Sequence, residues 1–210
     1  GNADCHWSSS FAGATCPAMR TAPGALLCCL FLLNACDVDP DRVSGADASP
    51  PILVAAEQGD LAALNLLLVA GAAPDVLDNC NWTPLMKAAL NGHLDVVKRL
   101  LDAGADPSVE DKGGYTALML AASNDHAETV SLLLERGADM NHAEATGGWT
   151  ALIWAAKRGH VRSVEVLLAH GADPGLTDLS GRRAIDYARE NGHIPVIRSL
   201  NGMPLSPADH

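Results

Sequence analysis

Four histidines recur on a regular beat: His93, His126, His160 and His193, spaced by 33, 34 and 33 residues. Phased histidine suggests two chemistries, metal ligation and proton transfer. Zinc needs its ligands to converge within about 2.0–2.1 Å of one ion. Packed helices stand about 8–10 Å apart, so one histidine per helical unit makes a line of rings rather than a cage. The expected role is structural: turn residues between helices that bond to backbone. Asp106, Asp139 and Asp173 keep the same beat and read as turn formers, not as paired acids. No serine stands in a Gly-x-Ser-x-Gly turn, and neither Gly113-Gly114 nor Gly147-Gly148 is followed by the lysine of a phosphate loop. No catalytic residue, cofactor or metal is therefore assigned.

A repeated phrase determines the elements that carry these residues. Leu67-Leu68-Val69-Ala70-Gly71-Ala72 recurs as Leu100-Leu101-Asp102-Ala103-Gly104-Ala105, as Leu133-Leu134-Glu135-Arg136-Gly137-Ala138 and as Leu167-Leu168-Ala169-His170-Gly171-Ala172. A period of this length marks a stack of small units. Within one unit, Thr83-Pro84-Leu85 opens a helix, because threonine caps and proline fits the first turn. Ala88-Ala89 keeps that helix thin. Asn91-Gly92-His93 breaks it, and Leu94, Val97, Leu100 and Leu101 form the apolar stripe of a second helix. Gly104 ends this helix in a left-handed cap, and Asp106-Pro107 begins a turn.

These elements recur in phase. The openers are Thr116-Ala117-Leu118, Thr150-Ala151-Leu152 and, more weakly, Arg183-Ala184-Ile185. The alanine pairs are Ala55-Ala56, Ala88-Ala89, Ala121-Ala122 and Ala155-Ala156. Asp125-His126 once replaces Gly-His. The pattern resembles the ankyrin repeat family over residues 50–202, in five units at about 50–82, 83–115, 116–149, 150–182 and 183–202. The resemblance implies an all-α fold, an ankyrin-repeat solenoid of stacked helix-turn-helix units with protruding hairpin loops. One departure is uniform: Leu53, Met86, Met119, Ile153 and Asp186 stand where the family usually has histidine, so that histidine's hydrogen bonds are missing or replaced. The segment Glu144-Ala145-Thr146-Gly147-Gly148 holds the residue that lengthens one step to 34. Each unit is too small to bury its own apolar face, so end units need polar outer faces. Asp186, Arg189, Glu190 and Arg198 suit a C-terminal cap, with Pro195 at the start of a short helix. Residues 203–210 read as a tail.

The first fifty residues differ. They hold five of the six cysteines: Cys5, Cys16, Cys28, Cys29 and Cys36. From Met19 the chain shows a basic residue, Arg20, then the apolar run Ala25-Leu26-Leu27-Cys28-Cys29-Leu30-Phe31-Leu32-Leu33, then a small residue, Ala35. Those are the parts of a secretory signal peptide over residues 19–35. The run is too short to span a bilayer. Leu33-Asn34-Ala35-Cys36 resembles a bacterial lipoprotein signal, with Asn34 in place of the usual small or hydroxyl residue. The resemblance implies lipidation of Cys36, and an Asp in the position of Asp37 is associated with the inner membrane. Residues 1–18 are then expected upstream of the true start, and 36–49 as an acidic tether. The expected location is the periplasm or envelope as an inner-membrane lipoprotein. The alternative is a cytoplasmic protein whose apolar run is a helix packed on the first repeat.

Formal net charge is −11, which argues against nucleic acid, whose binding needs clustered Lys and Arg. What changes between units is then the place to look for function. The residue before each opener is Trp82, Tyr115, Trp149 or Arg182. In ankyrin proteins this position lies on the hairpin, facing the concave groove. The end of the first helix also faces it, at Leu90 and Asn91, Ser123 and Asn124, and Lys157 and Arg158. Three aromatics along an exposed edge, flanked by Arg182, Lys157 and Arg158, form the expected binding stripe. The expected function is a monomeric, non-enzymatic module that binds a partner protein. Membrane contact is expected only through a lipid on Cys36. A cytosolic ankyrin regulator or scaffold is the alternative, and an enzyme a distant one.

Overall fold

The structure, a computed structural model, describes residues 49–202. The readings placed on 1–18, on the signal peptide, on Cys36 and the tether up to residue 48, and on the tail lie outside the described residues. Ten helices form five consecutive pairs among the described residues: α1 (Pro51–Gln58) with α2 (Leu61–Val69), α3 (Pro84–Asn91) with α4 (Leu94–Asp102), α5 (Ala117–Ala122) with α6 (Ala127–Glu135), α7 (Ala151–Arg158) with α8 (Val161–Ala169), and α9 (Ala184–Glu190) with α10 (Ile194–Leu200). First helices pack on first helices, α1 on α3 through to α7 on α9. Second helices pack likewise from α2 to α10. The described residues form an all-helical fold, its paired helices stacked in sequence.

Small residues let the first row pack closely. Ala56, Ala88, Ala89, Ala121, Ala122, Ala155, Ala156 and Ala188 are fully buried. A larger side chain at any of them would push two helices apart. The second row contributes Leu64, Val97, Leu100, Val130, Leu133, Val164, Leu167 and Val196, also fully buried. Leu53, Met86, Met119 and Ile153, in place of the family's histidine, are each 1% exposed and fill the core between helices. Apolar packing thus replaces a hydrogen bond at four positions. At the fifth, Asp186 restores one: its carboxylate accepts the Arg183 N–H at 3.0 Å, supporting a helix whose opener lacks threonine.

The threonine openers act unequally. Thr83 Oγ1 accepts the Met86 N–H at 3.1 Å, and Thr150 Oγ1 accepts the Ile153 N–H at 3.3 Å. Thr116 Oγ1 is buried without a hydrogen-bond partner. The two ends of the described stack also differ. On α10, Pro195 sits in the first turn and Arg198 in the last. On α2, Leu66 and Val69 are 73% and 83% exposed.

The phased histidines join neighbouring units. His93 Nε2 bonds to the Glu57 carbonyl, His126 Nε2 to that of Leu90, His160 Nε2 to that of Ser123 and His193 Nε2 to that of Lys157, each at 3.0 Å. Each ring reaches back one unit to the end of the preceding first helix, where helix carbonyls lack an intrahelical partner. Gly59, Gly92 and Gly159 make room for these rings, since a Cβ at any of them would overlap the histidine of the next unit. Asp125 breaks the pattern. It holds a left-handed backbone (φ 59°) without being glycine, and its Oδ1 accepts the hydroxyl of fully buried Ser163 at 2.9 Å. That bond joins the α5–α6 turn to α8 and offsets strain of about 1–2 kcal/mol. Burial pushes the half-buried His160 imidazole below its usual pKa.

Candidate protein-interaction surface

The hairpins are shaped by a second set of phased acids. Asp78 Oδ1 accepts the N–H groups of Cys80 and Trp82 at 2.8 and 2.9 Å. Asp111 Oδ1 does the same for Gly113 and Tyr115, and Asp178 Oδ1 for Ser180 and Arg182, all at 2.8–2.9 Å. In each case one carboxylate sets the backbone of the residue just before the opener. The third hairpin is one residue longer and carries a longer acid. Glu144 Oε1 accepts the N–H groups of Gly147 at 2.7 Å and Trp149 at 3.2 Å, and Oε2 that of Thr146 at 2.5 Å. The extra methylene of Glu144 spans the loop that the inserted residue enlarges. Successive hairpins bond tip to tip, Lys112 N–H to Cys80 O at 3.2 Å, Ala145 N–H to Gly113 O at 3.0 Å and Leu179 N–H to Gly147 O at 2.9 Å.

The register of these bonds identifies Thr146 as the extra residue. The expected turn role of Asp106, Asp139 and Asp173 is also present, since each Oδ1 accepts the N–H two residues on.

The residues before the openers are not an exposed row, which corrects that expectation. Trp82, Tyr115 and Trp149 are half-buried and pack against the core. The reason lies in the stacking: two of the rings, Tyr115 and Trp149, reach past the first helix that follows them to a ring on the one after it. Tyr115 meets Trp154 on α7, with ring centroids 5.9 Å apart, and Trp149 meets Tyr187 on α9 at 5.0 Å. Trp149 also meets Trp154 at 4.7 Å. The result is a continuous tract, Tyr115–Trp154–Trp149–Tyr187, with tilted ring pairs of the kind worth about 0.5–1.5 kcal/mol beyond burial. Trp154 and Tyr187 were missed from sequence. Both stand four residues after an opener, a signal that only the offset between units makes legible.

Cations cover the tract. Lys157 Nζ lies 4.1 Å from the Trp149 ring centre and 5.9 Å from that of Tyr187. Arg158 lies 5.9 Å from Trp154 and Arg182 lies 4.0 Å from Tyr187. Farther along, Lys87 stands 4.9 Å from Trp82. Such contacts hold each charge over a π face while leaving it partly hydrated. Burial, then repulsion by Arg158, lowers the Lys157 pKa, and burial lowers that of Arg158. Hydrogen bonding to Glu190 raises that of Arg182. Beneath them Asp178 is 6% exposed and takes the Tyr187 hydroxyl. Burial opposes its ionisation. The hydrogen bonds of Tyr187, Arg182 and Ser180 outweigh it and hold the carboxyl well below the usual carboxylate range.

The remaining expected residues divide. Asn91 is exposed, its amide donating to the Lys87 carbonyl at 2.9 Å. Leu90 is half-buried on the core. Asn124 is half-buried and donates to the Leu120 carbonyl at 2.9 Å. Ser123 is 3% exposed, with its hydroxyl donating to that same carbonyl. Ser123 therefore offers no side chain to a partner. The structure brings Tyr115, Trp149, Lys157, Arg158 and Arg182 together, and leaves Trp82, Leu90 and Asn91 one or more units away.

Among the described residues, no group of three His, Cys, Asp or Glu side chains could hold a metal ion. None of the described helices is long and apolar enough to cross a membrane. A model of the ankyrin repeat family, three copies long, matches residues 52–144 and 137–203. No curated protein matches the chain.

Proposed function

The chain belongs to the ankyrin repeat family, whose stacks serve as protein-interaction modules, and we propose that it holds a partner protein over the aromatic tract that joins Tyr115, Trp154, Trp149 and Tyr187. The observation that carries this is the tract itself: four adjoining rings under three cations, in a chain of net charge −11. Partly buried aromatics and arginines are the residue types that dominate binding energy at interfaces. The matching partner surface combines apolar side chains with carboxylates. Trp82, Leu90 and Asn91 extend the contact toward the N-terminal units, as does the accessible edge of Asn124.

Because the rings also support the stack, alanine substitution would confuse binding with unfolding. A photo-crosslinking residue avoids that. Placed at Asn91 or Arg158, it is expected to trap one shared partner from native extracts. Placed at Lys98 or Arg162, on the second helices, it is not. Trapping from the second-helix positions alone would refute this surface.

The sequence pattern supports a further proposal, that residues 19–35 direct export and Cys36 carries a lipid. Globomycin or Cys36→Ser is expected to change electrophoretic migration and membrane association. Unchanged migration and fractionation would eliminate the lipid.

A further inference from the structure

Three ion pairs of the stack join one unit to the next: Lys87–Glu57 at 3.8 Å, Arg136–Asp102 at 2.9 Å and Arg162–Glu128 at 2.5 Å. Arg182–Glu190 is different. Arg182 ends the hairpin that leads into α9 and Glu190 ends α9, so the contact runs along one helix rather than between stacked helices. Trp149 stacks on Trp154, five residues on, with ring centroids 4.7 Å apart, and Arg182 takes the same place relative to Tyr187. Its guanidinium stacks on Tyr187, and Glu190 at the end of α9 takes its charge.

The geometry around that carboxylate is the geometry of a carboxylate site. Arg182 bonds to it, and the Arg182 guanidinium and the Lys157 amine both lie over the Tyr187 ring, at 4.0 and 5.9 Å from its centre. Both ends of the pair remain accessible, with side chains 37% and 59% exposed. An exposed pair of this kind is weakly held, because water competes for both charges. We infer that Glu190 is a built-in competitor, which occupies the Arg182–Lys157 site in the free protein and gives way to a glutamate or aspartate side chain of the partner protein. This rests on the aromatic tract being the partner surface. It adds that binding exchanges one carboxylate for another, so the site rejects partners that bring only apolar contact.

The test uses the full chain and the tripeptide acetyl-Glu-Leu-Glu-amide, followed by NMR at the Arg182 Nε–H and the Trp149 indole N–H. Glu190→Gln is expected to bind the tripeptide roughly two- to fivefold more tightly than the unaltered protein, the range that release of one exposed ion pair permits. Arg182→Gln is expected to lose the response at the Trp149 indole N–H, with its thermal melt showing that it still folds. If the tripeptide moves both signals but Glu190→Gln binds no more tightly, the competitor role is overturned while the surface stands. If neither protein responds at these signals, or the response maps to the second-helix face, both readings are overturned together.

Discussion

Gly92→Ala is expected to destabilise the stack by about 3 kcal/mol, measured by urea denaturation. Two effects add. Gly92 has φ +71°, where an L side chain costs about 1–2 kcal/mol. Its Cβ would also clash with the His126 ring, 2.8 Å from Cγ and nearer still to Nδ1. The ring can move aside only by giving up its bond to the Leu90 carbonyl, a loss of about 0.5–1.5 kcal/mol with an acceptor left unpaired. Gly192→Ala is the control. That glycine has the same φ, +71°, but nothing lies within 4 Å of the added Cβ. It should cost only about 1–2 kcal/mol, the backbone part. Equal losses at the two sites would show that the histidine contact between units contributes nothing.

Glu144→Ala is expected to cost a similar amount, about 3 kcal/mol, because it leaves the N–H groups of Thr146, Gly147 and Trp149 without their charged acceptor in a site only 3% exposed. Glu144→Asp should fall between, since the shorter acid cannot span the longer loop. Deleting Thr146 in the Glu144→Asp background is expected to recover most of the loss, because it recreates the five-residue Asp78–Trp82 and Asp111–Tyr115 hairpins. If the deletion lowers stability further, the pairing of longer acid with longer loop is wrong. The Trp149 ring reports the same outcome, since its place on Tyr187 and Trp154 depends on that hairpin.

The fold was legible because most of what builds one unit acts within a few residues. Threonine caps the third N–H after it, paired alanines thin a helix, a leucine stripe buries one face, and Asp106 closes its turn two residues on. Each is a short-range rule, so spacing along the chain is enough to read it. The inserted residue near position 146 was visible for the same reason. The compensating change from aspartate to glutamate was also in plain view, but its meaning depends on which N–H groups the carboxylate reaches.

The candidate site was legible only in part. Trp82, Tyr115, Trp149 and Arg182 stand out because they vary where the rest of the unit repeats. Their surroundings depend on how far each unit is displaced from the last, and no local pattern encodes that displacement. Stacking sets Tyr115 on Trp154 and Trp149 on Tyr187, turns an expected exposed row into a half-buried tract, and closes Ser123 away from any partner. It also gives the four histidines their acceptors one unit back. The repeat and its helices follow from contacts between near neighbours in the chain. The site follows from contacts about a full unit apart, which exist only once the units are packed.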